Sequence, residues 1–549
     1  MPTSDRCIKA IIPDKFHTFL ILPFLFKGEN SKLTSVKLAE HYNKYNRWES
    51  EEFEVNDGLR YNEFLYFYPY VRKILYSKKN NKTSSMQFLR WKKGEKDQWK
   101  LRVVGNEYDH TMDIIDAFLH LYDMGVGVFV LEIAEENLTK DIRNYITFLD
   151  LARRIYVPFI NPKYKFKDED PEHYPFDAIT GKQCPKKIII LKNKEEVCTQ
   201  NFECKVSQPN SPELLSNVVK HFLDIYNDEF TFTFNPSPGG MKSNSYQTFV
   251  DDRMFVHTYF SIDKSKFPSN NGYFLHNLSE YFNINPSHTE LNKYWSTDIW
   301  YRMIFIDSGE KSCQNDIMQK KIIDDSTYTR WTKFKTFYGY SRFSSMMMTD
   351  SGVPDYLYNH FQTMYYQIAM VLFFYRGVLL NFSMRSSDIS HLLAVDGKER
   401  KKGIEQAREL HSDFLAFRNR CWFREITAQD QGIEIFNLWN RKLDNVELMK
   451  DIESEIEGLY RFVNYEQEQR ENDQLRNISI LGAILLPITV TTGFFGMNLI
   501  NSFKGAWWLF SVLTLIFIVI SVTLITCKKG ESLKNYQDRI EKFFKDKIE

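Results

Sequence analysis

Residues 478–495 read ISILGAILLPITVTTGFF, and the tripeptide Gly496-Met497-Asn498 closes them. A second apolar run, GAWWLFSVLTLIFIVISVTLITC, follows at 505–527. Neither contains Asp, Glu, Lys or Arg, and each is long enough, or nearly so, to cross a hydrocarbon core that takes roughly 20 helical residues. Only residues 499–504 separate them, so the pair reads as a transmembrane hairpin with both ends on the same side of the bilayer. The flanking cations orient it. Arg470 and Arg476 precede the first run and Lys528, Lys529 and Lys534 follow the second, against a lone Lys504 between them. The positive-inside rule then places the large N-terminal region and the C-terminal tail in the cytoplasm, at a cell inner or plasma membrane. Trp507 and Trp508 open the second run, where an aromatic belt sits at the outer interface.

Working back from the hairpin, the rest of the 549 residues reads as cytoplasmic protein. Lys and Arg number 71, as do Asp and Glu, so no bulk charge points to nucleic acid as a partner. Seven cysteines are scattered without framework spacing, as a reducing compartment allows. Cys198 and Cys204 are close in sequence, but no second pair stands near them, and unpaired thiols are the ordinary reading. The apolar run at 17–26 is preceded by Asp5 and Asp14 and followed by no small-residue cleavage site, so it reads as a buried first strand and not as a signal-peptide core.

The pattern predicts four parts: an α/β domain over 1–345, a helical region with a stalk helix over 346–476, the hairpin over 477–527 and a basic cytoplasmic tail over 528–549. In the first part, strands are expected at 18–25, 128–133, 187–191, 254–261 and 299–306, and helices at 111–122 and 143–156, arranged as a sandwich around a central sheet. Loops are expected around 161–185 and 235–247, where Pro, Gly, Ser and Asn accumulate. Residues 362–384 are apolar enough for a third span, yet Gln367, Arg376 and Asn381 interrupt them at cost in a bilayer, which favours a buried cytoplasmic helix. Helices at 403–428 and 433–477 form a hairpin with its turn at 430–432.

In the stalk, Leu443, Val446, Met449, Ile452, Ile456, Leu459 and Val463 recur at spacings of three and four and form one apolar stripe. No proline stands between this stripe and Ile478, so the stalk can run into the first span as one long helix. Its other faces carry Glu447, Asp451, Glu453, Glu455, Glu457, Glu466, Glu468, Glu471 and Asp473. Two readings stay open: a solvated surface held by pairs such as Glu466 with Arg470, or a divalent-cation sensor where acidic faces of adjacent subunits meet.

The sequence Phe495-Gly496-Met497-Asn498, at the outer end of the first of two terminal spans, resembles the [YF]-G-M-N signature of CorA-type magnesium and divalent-cation transport proteins. The resemblance covers the architecture and, at motif level, roughly the last hundred residues. It implies an α/β cytoplasmic domain, a long-helix stalk and a two-helix C-terminal transmembrane hairpin, assembled as a homopentamer in the lipid bilayer. It also implies a channel-like transporter of hydrated divalent cations, most simply magnesium, gated by cytoplasmic ion, with no cofactor besides the cation itself. Gly496, Met497 and Asn498 would form the selectivity filter, Asn498 meeting the metal through ion-bound water. The pore would be lined by Asn472, Leu475, Ile478, Gly482, Leu486, Thr489 and Gly493. These spacings of three to five residues follow roughly one helical face. Beside this stands a plainer reading in which Asn498 caps a helix end and Thr489 bonds back to its own helix.

Two departures from the family pattern matter. The outer loop 499–506 has no acidic residue and one lysine, which leaves room for the zinc-transporting branch, or for cobalt or nickel. The cytoplasmic region is also unusually long. A rival from another class is a signalling or enzymatic domain tethered by the hairpin. No nucleophile motif or metal-ligand cluster supports an enzyme: Asp251-Asp252 and Asp324-Asp325 read as solvated turns, and residues 239–243 lack the spacing of a phosphate loop.

Overall fold

The computed structural model describes residues 10–27, 34–44, 47–76, 85–135, 138–155, 184–202, 217–223, 231–232, 245–248, 253–263, 271–284, 287, 295–309 and 311–496, with six further positions between 508 and 519. Its strands are β1 (Lys15–Lys27), β2 (Trp48–Ser50), β3 (Met86–Trp91), β4 (Trp99–Val104), β5 (Asp109–Tyr122), β6 (Val126–Glu135) and β7 (Lys187–Lys192). There follow β8 (Glu195–Asn201), β9 (Thr231–Phe232), β10 (Ser245–Thr248), β11 (Phe255–Ile262), β12 (Thr327–Tyr328), β13 (Phe337–Tyr340) and β14 (Ser344–Asp350). The helices are α1 (Ser35–Lys44), α2 (Gly58–Tyr66), α3 (Pro69–Leu75), α4 (Ile142–Ala152), α5 (Asn217–Leu223), α6 (Asn271–Ile284) and α7 (Trp295–Phe305). After them come α8 (Asp316–Ser326), α9 (Tyr356–His360), α10 (Tyr366–Ala394), α11 (Lys398–Arg420), α12 (Asp430–Lys442) and α13 (Asn445–Gly496).

All the strands join one mixed sheet whose main path runs β12-β13-β14-β11-β1-β6-β5-β4-β7-β8. The apolar run at 17–26 is its middle. β1 pairs antiparallel with β6 over Phe16 to Leu25 and with β11 over Lys15 to Ile21. Because a strand alternates its side chains, Phe16, Leu20, Leu22 and Phe24 enter one core with Tyr145 of α4, Phe222 of α5, Phe274 of α6 and Trp300 of α7. Phe19 turns the other way, onto Phe361 and Tyr366. Helices thus cover both faces, which is why β1 and β6 read as near-continuous apolar runs.

The second face is closed by α10 and α12. Phe374 stacks on Tyr122 at 4.5 Å, Phe373 meets Phe255 edge-on at 4.7 Å, and Trp439 of α12 stacks against Phe255 and His257. The helix expected at 362–384 is therefore buried in the protein, entered through a π-helical turn at Phe361–Tyr365. Among the described residues, the stretch Tyr356–Ala394 is the one that is long and apolar enough to cross a membrane, and 72% of its most apolar window is buried.

Four expectations fail, each for a local reason. Residues 111–122, expected as a helix, are the strand β5. A bulge between Ile114 and Asp116 inserts one residue, so the buried positions on one face switch from Met112 and Ile114 to Ala117, Leu119 and Leu121. That phase shift puts a spacing of three into an alternating pattern and mimics a helix. Residues 299–305 form the end of α7 and not a strand, with Ile306 just past it; Ile299, Trp300, Met303 and Ile304 are buried at helical spacing. Within the loop expected at 235–247, Ser245 opens β10, which pairs with β1. The turn expected at 430–432 is the first turn of α12; the connection from α11 lies instead at 421–429, and the helix expected at 433–477 is interrupted at Asp444, which adopts φ 60°. Gly432 serves close approach: a Cβ there would lie 2.2 Å from the Tyr66 hydroxyl.

The last strand ends at Asp350, past residue 345. By contacts the chain divides into two units, Met1–Asp388 with Ser412–Ser454, and Ile389–His411 with Glu455–Glu549. The first holds the sheet and its helical layers. Within the second, Arg400 pairs with Glu466, and His411 stacks on Tyr460 with ring centroids 3.9 Å apart.

Candidate functional site

The long helix α13 is set off by Asp444, and Asn445 at its start is buried and donates through Nδ2 to the Leu372 carbonyl. It runs 52 residues, roughly 77 Å at 1.5 Å per residue. Pro487 lies inside it without ending it. Of the expected apolar stripe, Leu443, which caps the end of α12, is buried with Met449, Ile452, Ile456 and Val463, while Val446 faces solvent.

The stalk carboxylates divide into two sets. Glu447 pairs with Lys450 at 2.8 Å, Glu453 with Arg418, Glu457 with Arg461 at 3.8 Å, and Asp473 with Arg476 at 3.6 Å. Glu466 takes Arg400 and, at 3.9 Å, the Arg470 of the expected pair, and Glu471 accepts from Gln467. Asp451, Glu455 and Glu468 make no ion pair among the described residues. No group of three or more His, Cys, Asp or Glu able to hold a metal ion occurs among the described residues of the single chain.

Farther along, Asn472, Leu475, Ile478, Gly482, Leu486, Thr489 and Gly493 all lie on α13. At 100° per residue they fall within an arc of about 120°. Leu475, Ile478 and Leu486 are each more than 60% exposed, and Leu481 and Leu485, which flank the arc next to Ile478, are more than half exposed. A Cβ added at Gly482 or Gly493 would meet nothing within 4 Å. Thr489 Oγ1 donates to the Leu485 carbonyl at 2.7 Å, the back-bond that the plainer reading foresaw. Gly496 is the last residue of the helix; Met497 and Asn498 lie outside the described residues, as do residues 239–243, Asp251-Asp252, Cys204 and most of 505–527. Asp324-Asp325 close α8, where Asp324 pairs with Lys320 and Asp325 with Lys442.

Sequence reading missed a cavity of about 1330 Å³ on the α10 side of the sheet. Glu63 on its wall is fully buried, accepts from Arg60 and from Gln367 Nε2, each at 2.9 Å, and has its pKa raised by burial against the opposing pull of Arg60. His120 Nε2 lies 2.7 Å from the Tyr366 hydroxyl, and burial lowers its pKa to about 3, so the ring is neutral. The only local signal was the acidic run Glu49-Ser50-Glu51-Glu52-Phe53-Glu54, which is part of the lining.

From Ile478 to its last residue, Gly496, α13 carries no charged residue, and Ile478, Leu481, Leu485, Leu486 and Val490 are exposed in the single chain. Residues 437–528 match the family model described as CorA-like Mg2+ transporter protein, so this stretch is a CorA-like domain. The match takes in the end of α12, all of α13, the tripeptide and both apolar runs. The family is one of transporters and not of enzymes. Among solved structures, the chain is similar to the complete structure of CorA magnesium transporter from Methanocaldococcus jannaschii, with 11% identity over 51% of this chain and 94% of that one. The TM-score is 0.18, too low for that superposition to carry residue correspondences. No curated protein matches the chain.

Proposed function

We propose that the protein is a homopentameric, channel-like transporter that passes hydrated divalent cations, magnesium first among them, down their electrochemical gradient under control of cytoplasmic ion. The observation that carries this reading is the family match over 437–528, which joins the stalk to both apolar runs in one domain. The unbroken α13 supports it, since an uninterrupted helix through Pro487 is what keeps the lining positions on one face. The 18 steps from Ile478 to Gly496 measure about 27 Å, close to the roughly 30 Å hydrocarbon thickness. A single chain leaves those sides exposed, and lipid on one side with neighbouring subunits on the other would cover them. In this reading residues 478–495 and 505–527 form the two spans, and both termini are cytoplasmic.

Magnesium gives up its waters reluctantly, so a filter works by offering acceptors to the hydrated ion. A ring of Asn498 side-chain carbonyls, turned out of the helix after Gly496, would do this, with Met497 packing the loop. Thr489 would add a second ring when its hydroxyl lone pairs face the axis, which its back-bond to Leu485 permits. Leu475, Ile478 and Leu486 would narrow the inner pore with apolar rings that close by dewetting, and Asn472 would form its mouth. Asp451, Glu455 and Glu468, unpaired among the described residues, are the carboxylates most available to cytoplasmic ions between subunits.

The test is divalent-cation flux into proteoliposomes holding the purified full chain, with magnesium compared against zinc, cobalt and nickel. Asn498→Ala should cut magnesium flux by about a hundredfold or more, as expected when every subunit of a ring loses its acceptor, while the pentamer stays intact on a sizing column. Zinc flux without magnesium flux would move the substrate to the zinc branch that the uncharged outer loop allows. No flux of any cation by the wild type, under varied internal magnesium and pH, would defeat the transporter reading in favour of a tethered domain.

A further inference from the structure

The cavity beside α10 has a chemistry that ion conduction does not use. It opens between α2, the extended chain after β2, the strands β3 and β5, and the π-helical turn. Nine carboxylates line it, against four cationic side chains, Arg60, Arg90, Lys92 and Lys93. Four of the acids are already engaged: Glu63 with Arg60, Asp116 and Glu51 with Arg90 at 2.6 Å and 3.4 Å, and Glu132 with His17 at 2.8 Å. Glu49, Glu52 and Glu54 of the acidic run make no ion pair among the described residues, and Glu49 and Glu54 are exposed.

Two further observations point to a missing donor. Gln367 is 7% exposed, and while its Nε2 serves Glu63, its Oε1 has no hydrogen-bond partner. His120 is 2% exposed, and its Nδ1 also has none. Both residues stand on the cavity wall. Buried polar atoms left unpaired are costly, and a native site that tolerates them commonly has a ligand or water to satisfy them.

Aromatic rings make up much of the remaining lining, Phe53, Phe88, Phe118 and Tyr366 among them. Arg60 sits over the Phe53 ring at 5.4 Å and Arg90 over Phe118 at 5.7 Å, so these faces already attract cations. A bare metal ion needs oxygens converging at one point, and no such group exists among the described residues. Dispersed carboxylates alternating with aromatic faces instead match a ligand whose positive charges are strung along an apolar stem. We propose that this cavity binds a linear aliphatic polyamine, its terminal ammonium held by Glu49, Glu52 and Glu54, its methylenes against Phe53 and Phe118, and an inner ammonium donating to Gln367 Oε1. The site lies within the sheet unit of one chain and does not depend on the transport reading.

Isothermal titration of the full chain in detergent with spermine tests it, at fixed ionic strength and with magnesium chloride as the competing salt. Wild type should bind one spermine per chain. The triple substitution Glu49→Gln, Glu52→Gln and Glu54→Gln should weaken binding by about tenfold, three partly screened charge pairs each contributing a factor of two or so. Its melting temperature should stay near the wild-type value, because Glu49 and Glu54 are exposed, Glu52 is half-buried, and none of the three makes an ion pair among the described residues. Gln367→Met, which removes the inner acceptor at similar volume, should weaken binding as well without changing the stoichiometry. Absence of binding to wild type, unchanged affinity in the triple variant, or displacement by magnesium as effective as by an equal ionic strength of spermidine would each overturn the proposal.

Discussion

By sequence, residues 362–384 and 478–495 are both apolar enough for a bilayer, and the structure places them in opposite surroundings. Along α10, Ile368, Ala369, Met370, Val371, Leu372, Val378, Leu379 and Phe382 are fully buried against the sheet and its neighbours. Along the outer part of α13, Leu475, Ile478, Leu481, Leu485, Leu486 and Val490 are each more than half exposed. Hydropathy does not separate them; the polar residues do. In α10, Gln367 is spent on Glu63 and Asn381 on the Met124 carbonyl, contacts that only a protein interior supplies. From Ile478 to Gly496, α13 has no charged residue, and its described hydroxyls at Ser479 and Thr489 bond back to their own helix. A helix that satisfies its polar atoms internally suits lipid, whereas one that needs partners suits a core.

The sharpest way to break this contrast is by truncation. Leu372→Ala should cost 2–5 kcal/mol, roughly the range for emptying a packed core site, while Leu481→Ala should change stability by no more than about 0.5 kcal/mol. Denaturant unfolding of both variants in detergent checks it, and equal losses would mean that the outer helix is packed within the chain. Glycines give a second contrast of smaller size. Gly432→Ala drives a methyl into Tyr66 and Thr427 and should destabilise by about 1–3 kcal/mol. Gly482→Ala meets open space and should be neutral or gain up to about 1 kcal/mol from helix propensity, read as a melting temperature.

The smallest effect concerns pH and the link between α10 and α2. Burial raises the Glu63 pKa above its ordinary 4.5, so folding favours the protonated form. Its contribution is then fully present below pH 4.5 and is lost as pH rises through the folded value. Glu63→Gln keeps an acceptor for Gln367 and removes that titration, so the melting temperature should fall less between pH 4 and pH 8 than in wild type. An unchanged pH profile would show that the Arg60 pairing fully offsets burial.

Legibility followed the local signal. The strands at 18–25, 128–133, 187–191 and 254–261 and the helix at 143–156 lie where their residues put them, because length and β-branched content agree there with the sheet. β5 was lost to the single bulge at Ile115, and α7 to a short aromatic run whose type periodicity cannot settle. Gly432 looked like a turn and is a contact, which no single-chain pattern reveals. That Asn472, Leu475, Ile478, Gly482, Leu486, Thr489 and Gly493 share one side of α13 was legible because a continuous helix carries its own geometry. The cavity was not, because Glu63, Asp116, Glu132 and Gln367 are distant in sequence and meet only when α2, two strands and α10 close on one another.

The sequence by itself therefore determined the long helix, the uncharged terminal runs and the Gly496-Met497-Asn498 punctuation, since helix periodicity and the cost of charge in hydrocarbon act within one segment. Tertiary structure decided that α10 is core, where β5 lies, which glycine is a contact, and which carboxylates share a cavity. Those outcomes depend on what stands on the other side of each residue, and burial and desolvation are properties of a pair of surfaces, not of a stretch of chain.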